Sequence, residues 1–128
     1  MDVRAIRWEP VSSVDDLMWT PLTNAEQLER LILDSQKTPQ FIFKHSTRCS
    51  ISRVALSRFD RVPSPNEGAT YFLLDLLQFR SLSQAITEQF GIVHESPQAL
   101  LIRSGKCIYH ANHLEIDPAE IEEKMKGL

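Results

Sequence analysis

The stretch Phe41-Ile-Phe-Lys-His-Ser-Thr-Arg-Cys-Ser-Ile-Ser52 decides the fold, because within it an apolar run changes directly into a helix start. The run Phe41–Lys44 is aromatic and β-branched, which predicts a short strand. The helix after Cys49 is predicted to have one apolar face, made of Ile51, Val54, Ala55 and Phe59. A strand, a tight turn and a helix therefore meet at a single cysteine.

A cysteine at the start of a helix is expected to be reactive. The unpaired N–H groups of the first turn and the positive end of the helix dipole favour thiolate over thiol. Arg48, directly before Cys49, adds a full positive charge. Ser52 stands where the C-x-x-C redox motif has its second cysteine, three residues on and on the same side of the helix. The sequence predicts a thiol that forms mixed disulfides but cannot close a local one. The Ser52 hydroxyl either donates a hydrogen bond to the thiolate or faces solvent.

Turn residues and apolar periodicity divide the first half of the chain. Thr23 and Glu26 form a capping box that predicts the first clear helix. Pro63–Gly68 is turn material that ends the helix after Cys49. Thr70–Leu77 is nearly continuous hydrophobe, which predicts a central strand buried on both faces.

The second half of the chain is predicted to be a helix, a hairpin and a final helix. Ala99–Ile102 and Lys106–His110 are short apolar or alternating runs joined by a turn with glycine, which predicts the hairpin. The helix ends are marked by the expected cap and stop residues, which are Ser81 or Ser83, Gly91, Asp117, Pro118 and Glu120.

This order of elements gives a parallel βαβ unit followed by an antiparallel hairpin, which is the order of the thioredoxin fold. We expect an α/β domain over residues 19–128, with a mixed central sheet of about four strands and helices on both faces. Residues 1–18 are predicted to be an N-terminal extension, in which Arg4–Trp8 is a candidate edge strand.

Composition excludes several classes of protein. The chain has 128 residues, 42% of them hydrophobic and 24% charged, as in an ordinary single-domain globule. Its net charge of −3, without a long basic block, argues against nucleic acid and membranes as partners. The N-terminal residues lack the apolar core of a signal peptide, and no run approaches the roughly 18 apolar residues of a membrane span. We therefore expect a cytoplasmic protein, in which Cys49 and Cys107 are not paired.

Two motifs about 50 residues apart resemble those of the thioredoxin superfamily. The first is Cys49-Ser-Ile-Ser52, and the second is His94-Glu-Ser-Pro-Gln98, directly before a strand. The superfamily has a cis proline beside its reactive cysteine, and Pro97 is the candidate here. More narrowly, Phe43–Ser52 together with the second motif resembles the monothiol bacilliredoxin family, and the resemblance covers Trp19 to His113. Members of this family usually have proline directly after the cysteine, where this chain has Ser50.

The resemblance implies a specific chemistry. Monothiol bacilliredoxins are cytosolic bacterial proteins of the bacillithiol system, also described as general-stress proteins. Cys49 would attack the mixed disulfide between a protein and a low-molecular-weight thiol, which we expect to be bacillithiol. The protein partner would be released reduced, and a second thiol would clear Cys49. No metal, nucleotide or flavin is implied.

The residues around Cys49 are predicted to bind the substrate. We expect Thr47 to brace the turn and Arg48 to steer a thiol that carries carboxylates, as bacillithiol does. The backbone beside Pro97 is expected to pair with an extended substrate. His45 and His94 are the candidate proton partners, His94 the better one and His45 more often a structural residue. The predicted substrate-binding set is Thr47, Arg48, Ser50, His94, Ser96 and Pro97.

Other interpretations remain open at this stage. The protein could be a non-catalytic binding module that uses the groove beside Pro97, or a stress sensor that is modified at Cys49. Cys107, on one face of its strand with Tyr109, is predicted to be a core thiol rather than a resolving cysteine. His110 and His113 could suggest a metal site, but no cysteine pair with ligand spacing accompanies them.

Overall fold

The structure, a computed structural model, describes residues 18–61, 68–126 and 128. Its strands are β1 Trp19–Pro21, β2 Gln40–His45, β3 Thr70–Asp75, β4 Gln98–Arg103 and β5 Lys106–Asn112. Its α-helices are α1 Ala25–Asp34, α2 Ser50–Ser57, α3 Arg80–Phe90 and α4 Pro118–Met125. Two 3-10 helices, Arg58–Arg61 and His113–Glu115, follow α2 and β5.

The five strands form one mixed sheet in the order β1-β3-β2-β4-β5. β3 lies between β1 and β2 and is parallel to both, whereas β4 is antiparallel to β2 and β5 is antiparallel to β4. The predicted thioredoxin-like α/β fold is confirmed, with β1 as the strand beyond the expected four. The candidate strand Arg4–Trp8 and nearly all of the predicted turn Pro63–Gly68 lie outside the described residues.

Helices cover both faces of the sheet, each over its own apolar core. On one face, α2 and α4 pack on an aromatic group in which Trp19 makes ring contacts with four neighbours at centroid distances of 5.4 to 6.0 Å. These neighbours are Phe41, Phe43, Phe59 and Tyr71. On the other face, α1 and α3 pack on an aliphatic core from the same central strands, which includes Ile42, Leu74, Leu100 and Ile102. Alternation along β2 thus anchors helices on both sides.

Two of the predicted helix starts are shifted. Asn24, not Thr23, caps α1: its side chain accepts a 2.8 Å hydrogen bond from the Gln27 N–H. Gln27, not Glu26, returns the bond by accepting from the Thr23 N–H at 2.7 Å. The box is displaced by one residue because Thr23 and Asn24 are both good caps and Gln27 provides the matching partner.

The helix α3 begins without a serine cap. It starts at Arg80, so the predicted caps Ser81 and Ser83 lie inside it. The chain turns between β3 and α3 at Asp75, the last residue of β3. The Asp75 side chain accepts a hydrogen bond from the Leu77 N–H at 3.1 Å, which stabilises this turn. The predicted stop is confirmed, since Gly91 ends α3 in the left-handed conformation at φ 69°.

Asp117 caps α4 as predicted, but the expected capping-box glutamate has another partner. The Asp117 carboxylate accepts from the Ala119 N–H at 3.0 Å. The Glu120 carboxylate instead accepts a hydrogen bond from the Tyr109 hydroxyl on β5. This contact ties α4 to the edge strand of the sheet.

A β-bulge in the hairpin separates two side chains that were predicted to share a face. Leu101 pairs with Tyr109 and Ile102 pairs with Cys107, which leaves Ile108 as the extra residue of β5. Tyr109 therefore packs against the aromatic core, and Cys107 packs against the aliphatic core on the other face. Bulges of this kind leave no strong mark in the sequence.

Lys44 is a wholly buried cation in the aliphatic face of the sheet. Its ammonium donates to the Ser83 carbonyl and to the Thr87 hydroxyl, both at 3.3 Å, and lies 3.3 Å from Nδ1 of His94. These three partners are uncharged acceptors. Burial lowers the pKa of Lys44 from 10.5 to about 8.

In the part of the chain that the structure describes, none of the helices is long and apolar enough to cross a membrane.

We expect the replacement Lys44→Met to remove a pH dependence of folding stability. Between about pH 8 and about pH 10.5 the unfolded chain holds a proton on Lys44 that the folded chain has lost. Relative to that of Lys44→Met, the free energy of unfolding of the native protein should therefore rise with pH through this window, since the other titrating groups are common to both proteins. At neutral pH the variant should be equally stable or more stable, by on the order of 1 kcal/mol, because methionine fills the space without a buried charge.

Urea unfolding at several pH values measures this difference. As a control, Lys106→Met, at an exposed position of β5, should show the same dependence of the free energy of unfolding on pH as the native protein. Parallel pH profiles for the native protein and Lys44→Met would contradict the burial of a titrating ammonium.

Candidate active site

Cys49 occupies the N-cap position of α2, at the junction that the sequence predicts. Its N–H donates to the Ser46 carbonyl at 3.1 Å, and its own carbonyl accepts from the Arg53 N–H at 3.1 Å. The side chain is half-buried and, within the described residues, makes no capping hydrogen bond. The first turn, Ser50–Arg53, contains no carboxylate. The first N–H groups of α2 therefore lack a side-chain cap from Cys49.

The second motif lies beside this junction because β2 and β4 are paired. Lys44 is the register partner of Gln98, so continuing the antiparallel register places Pro97 next to His45 and Ser96 next to Ser46. The Ser96–Pro97 peptide bond is cis, as the resemblance implies. The hydroxyl of Ser96 is buried and has no hydrogen-bond partner among the residues that the structure describes.

Ser52 is buried beneath the junction, so the solvent-facing alternative is wrong. Its Oγ lies 2.7 Å from Nδ1 of His45 and accepts a hydrogen bond from the Ser46 N–H at 3.0 Å. This hydroxyl ties the first turn of α2 to the end of β2. Whether it also donates to a Cys49 thiolate stays a prediction.

Three of the predicted substrate-binding residues lie exposed around the thiol, and these are Thr47, Arg48 and Ser50. The turn is braced through the backbone of Thr47, whose carbonyl accepts from the Arg53 guanidinium at 2.9 Å. Arg48 thus stands as a solvent-facing charge next to Cys49. Their role in binding stays a prediction.

The exposed surface next to Cys49 is more apolar than the helix pattern predicts. Ile51 and Val54 were expected on the buried face of α2, but they are 43% and 49% exposed. Ala55 and Phe59 are buried as predicted. Successive helix residues are rotated by about 100°, so only one side of α2 can face the core. The apolar residues of this helix lie on two sides, and the side with Ile51 and Val54 is left in solvent. Leu114, on the adjoining 3-10 helix, is also half-exposed.

The two histidines of the motifs differ in environment. His45 is buried, and burial lowers its pKa; Arg53 lowers the pKa further, while Asp75 raises it. His94 faces solvent but touches Lys44, and burial of part of the ring together with this ammonium lowers its pKa. Lys44 was missing from the predicted site, and His45 was named there only as the weaker of the two candidate proton partners. The signal was present, since both are polar residues that follow an apolar run in a strand buried along its whole length.

Cys107 lies at the opposite end of the sheet from Cys49. Its partner Ile102 pairs with Gln40 at the start of β2, whereas Cys49 follows the end of β2, roughly 15 Å away along the strand. The thiol donates to the Tyr109 carbonyl at 3.3 Å, and burial raises its pKa. This placement agrees with the predicted core thiol and separates it from the site.

His110 is an exposed residue of β5, and His113 directly follows this strand. His113 pairs with the Glu95 carboxylate at 3.2 Å. Among the described residues, no group of three or more His, Cys, Asp or Glu side chains is arranged to hold a metal ion.

Comparison with solved structures identifies the fold. The chain resembles a protein provisionally described as an oxidoreductase with a thioredoxin fold, with a TM-score of 0.74 and 25% identity over 88% of this chain and 97% of that one. It also resembles mitochondrial thioredoxin 3 from Saccharomyces cerevisiae, with a TM-score of 0.68 and 18% identity over 89% of this chain and 99% of that one. A thioredoxin from Trypanosoma brucei brucei superposes with a TM-score of 0.66 and 13% identity, over 94% of each chain.

A narrower match comes from the sequence. Residues 20–121 match the profile of the family described as monothiol bacilliredoxin BrxC. This range includes Cys49 and the cis Pro97, and it leaves out residues 1–19 and 122–128. The chain belongs to the monothiol bacilliredoxin family.

Proposed function

We propose that this protein is a cytosolic monothiol thiol–disulfide oxidoreductase that takes a low-molecular-weight thiol, bacillithiol, from modified proteins. The observation that carries the proposal is Cys49, a half-buried thiol at the uncapped start of α2, with the cis Pro97 beside it. A thiol in this position is accessible to a disulfide, and thiol–disulfide exchange proceeds by attack of the thiolate.

The exchange needs one thiol of the protein. The Cys49 thiolate attacks the bacillithiol sulfur of a protein–bacillithiol disulfide, the old S–S bond breaks, and the protein leaves as a thiolate. A new S–S bond now joins Cys49 to bacillithiol. A second thiol in solution then attacks this adduct and regenerates Cys49. With serine at position 52, the C-x-x-S sequence offers no local thiol for this second step.

The charges around the site suit a thiol that carries carboxylates. Arg48 is exposed next to Cys49. On the α3 side of the sheet, a cavity of about 190 Å³ is lined by Arg80 and His94, and His94 contacts the buried ammonium of Lys44. The positive charge of Arg48 attracts an anionic co-substrate.

The protein part of the substrate would bind to the backbone at Ser96 and to the exposed apolar side chains near Cys49. An extended segment beside a disulfide can pair with the backbone at Ser96. The exposed apolar side chains Ile51, Val54 and Leu114 offer non-polar contact around the thiol. Such contacts would also serve a pure binding module, which the first experiment below distinguishes.

We expect Cys49 to take up the adduct mass from a bacillithiolated test protein. Mass spectrometry of the mixture should show bacillithiol on the peptide that contains Cys49, together with reduced test protein. Cys49→Ala should abolish the transfer, and Cys107→Ser should leave it intact because that thiol lies at the far end of the sheet.

Repeating this test with a glutathionylated protein distinguishes an error in the identity of the co-substrate thiol from an error in the exchange mechanism. Transfer of glutathione alone would keep the exchange mechanism and overturn bacillithiol as the co-substrate. Absence of transfer in both cases, with retained binding of the test protein by Cys49→Ser, would replace the enzyme by a binding module.

We expect Ser52→Cys to convert the site from one thiol to two. Residues three apart in a helix have Cα atoms within the distance that a disulfide spans, and Ser52 already points beneath the junction. After oxidation, the variant should lose both site thiols to alkylation without gaining an adduct. Ser50→Cys, at the neighbouring position, should keep its thiols because adjacent helix residues do not face each other. Free thiols in oxidised Ser52→Cys would refute this geometry.

We expect Arg48→Gln to slow exchange with an anionic adduct selectively. The rate of transfer from a bacillithiolated protein should fall on the order of threefold at low ionic strength, and less at high salt. Transfer from a protein modified with uncharged 2-mercaptoethanol should change little. Lys37→Gln, which removes an exposed charge after α1, serves as the control. An equal fall for both adducts would show that Arg48 does not recognise charge.

A further inference from the structure

A cavity of about 620 Å³ at one edge of the sheet has no part in the exchange as described so far. Three of its lining residues are the last residues of strands: Pro21 ends β1, His45 ends β2 and Asp75 ends β3. Because β1 and β2 are both parallel to β3, the carboxyl ends of all three strands meet at this edge. In open α/β sheets, ligands bind outside the carboxyl ends of the strands.

The cavity lies close to Cys49, on the side away from Pro97. Thr47 lines it and stands two residues before Cys49, so the Cα atoms of these two residues are at most about 7 Å apart. In the sheet, β2 has β3 as its neighbour on one side and β4 on the other. The cavity is bordered by β3, whereas Pro97 precedes β4. A substrate bound at Cys49 therefore has the cis proline on one side and this cavity on the other.

The wall of the cavity is largely apolar. Its apolar lining residues are Trp19, Pro21, Leu22, Leu56, Leu73 and Phe79. Pockets that hold small organic groups have volumes of about 300 to 1,000 Å³, are mostly apolar and contain a few polar groups that fix the orientation of the ligand. By its volume and its lining, this cavity is of that kind.

Asp75 is the charged group in the part of this wall that the structure describes. It is half-buried, and one of its oxygens accepts from the Leu77 N–H at 3.1 Å. Within the described residues its carboxylate forms no ion pair. The Arg53 guanidinium, which acts on His45 from α2, donates to the Thr47 carbonyl at 2.9 Å instead. The carboxylate is thus available to a cation that enters the cavity.

Lysine and arginine side chains have the two properties that this cavity requires. Their stems are apolar and their ends are cations, so they cover apolar surface while the charge remains at a polar group. A stem that packs on the apolar wall can bring its cation to Asp75. An acidic side chain would meet a like charge there, and a purely apolar one would leave the carboxylate without a partner.

We propose that this cavity binds a lysine or arginine side chain of the protein substrate, close in sequence to its modified cysteine. The inference rests on the proposed function, because the exchange reaction is what brings a protein to Cys49. Two opposite charges would then flank the thiol, with Arg48 attracting the anionic small thiol and Asp75 attracting the basic residue of the protein. The two halves of the mixed disulfide are distinguished by charge in this way.

Exchange with a set of peptides tests the proposal. Each peptide contains one cysteine that carries 2-mercaptoethanol, an uncharged adduct, and lysine, glutamine or glutamate at successive positions on both sides of it. The Cys49 thiolate attacks the 2-mercaptoethanol sulfur, the old S–S bond breaks, and the peptide leaves as a thiolate that mass spectrometry detects. At low ionic strength and at one or more positions, lysine should give release about fivefold faster than glutamine, and glutamate should be slower still.

The variant Asp75→Asn connects this preference to the cavity. Asparagine keeps the oxygen that accepts from the Leu77 N–H, so the turn is retained while the charge is removed. The ratio of the lysine rate to the glutamine rate should fall to about one. Asp60→Asn, at an exposed position outside the cavity, should keep the ratio of the native protein. Equal rates for all peptides with the native protein, or a full lysine preference in Asp75→Asn, would overturn the proposal.

A charged adduct tests whether the cation comes from the small thiol instead. Cysteamine carries an ammonium on the adduct half of the disulfide, and 2-mercaptoethanol does not. A rate that depends on Asp75 for the cysteamine adduct, without any effect of a lysine in the peptide, would assign the cavity to the small thiol and overturn its assignment to the protein substrate.

Binding without exchange distinguishes a failure of this site from a failure of the reaction. In Cys49→Ser, the unmodified lysine peptide should shift the amide NMR signals of Thr47 and Asp75 more than the glutamine peptide does. Equal shifts for the two peptides would overturn the cation site. If the native protein releases no peptide while these shifts persist, the exchange reaction is overturned and the cation site is kept. If it releases all peptides at one rate, the exchange is kept and the cation site is overturned.

Discussion

The antiparallel pairing of β2 with β4 is the constraint on which the site depends. β2 carries the reactive junction at its end, and β4 follows directly after the cis Pro97. The register of Lys44 with Gln98 brings these two segments together, although they lie about 50 residues apart in the chain. Because β2 and β4 are buried on both faces, a slip by one residue would move apolar side chains of both cores to the wrong face. The packing that stabilises the sheet therefore also fixes the distance between Cys49 and Pro97.

The polar residues of β2 divide the environment of the site between the two faces. Lys44 points to the α3 side, where it meets His94, and His45 points to the α2 side, where it meets Ser52. Alternation along a strand makes this division necessary. Buried polar groups cost stability unless they are hydrogen-bonded, and here each is bonded to a residue of a neighbouring element. These bonds connect the end of β2 to α2, α3 and the loop before Pro97, so the junction is held from three sides.

Much of the fold was predictable because its signals are local. Gly91 ends a helix where φ is positive, Asp117 caps one, and the hydrophobic run from Thr70 forms a central strand. The errors arose where two residues compete for one role or where tertiary contacts decide. Thr23 and Asn24 are equal caps by type, and only the position of Gln27 chooses between them. The bulge at Ile108 and the outward turn of Ile51 depend on how neighbouring elements pack, which no local pattern records.

The positions of Cys49 and Pro97 were predictable from the sequence, but the buried polar contacts around them were not. Cys49 and Pro97 were found because a motif marks each of them, and the burial of Ser52 distinguishes a structural hydroxyl from a surface one. Where a two-cysteine protein has its resolving thiol, this chain has an oxygen that already bonds to His45 and Ser46. That oxygen cannot form a disulfide, so under the proposed function a thiol from outside the site would release the Cys49 adduct. The serine at the second motif position is therefore part of the frame around Cys49 and not a redox partner.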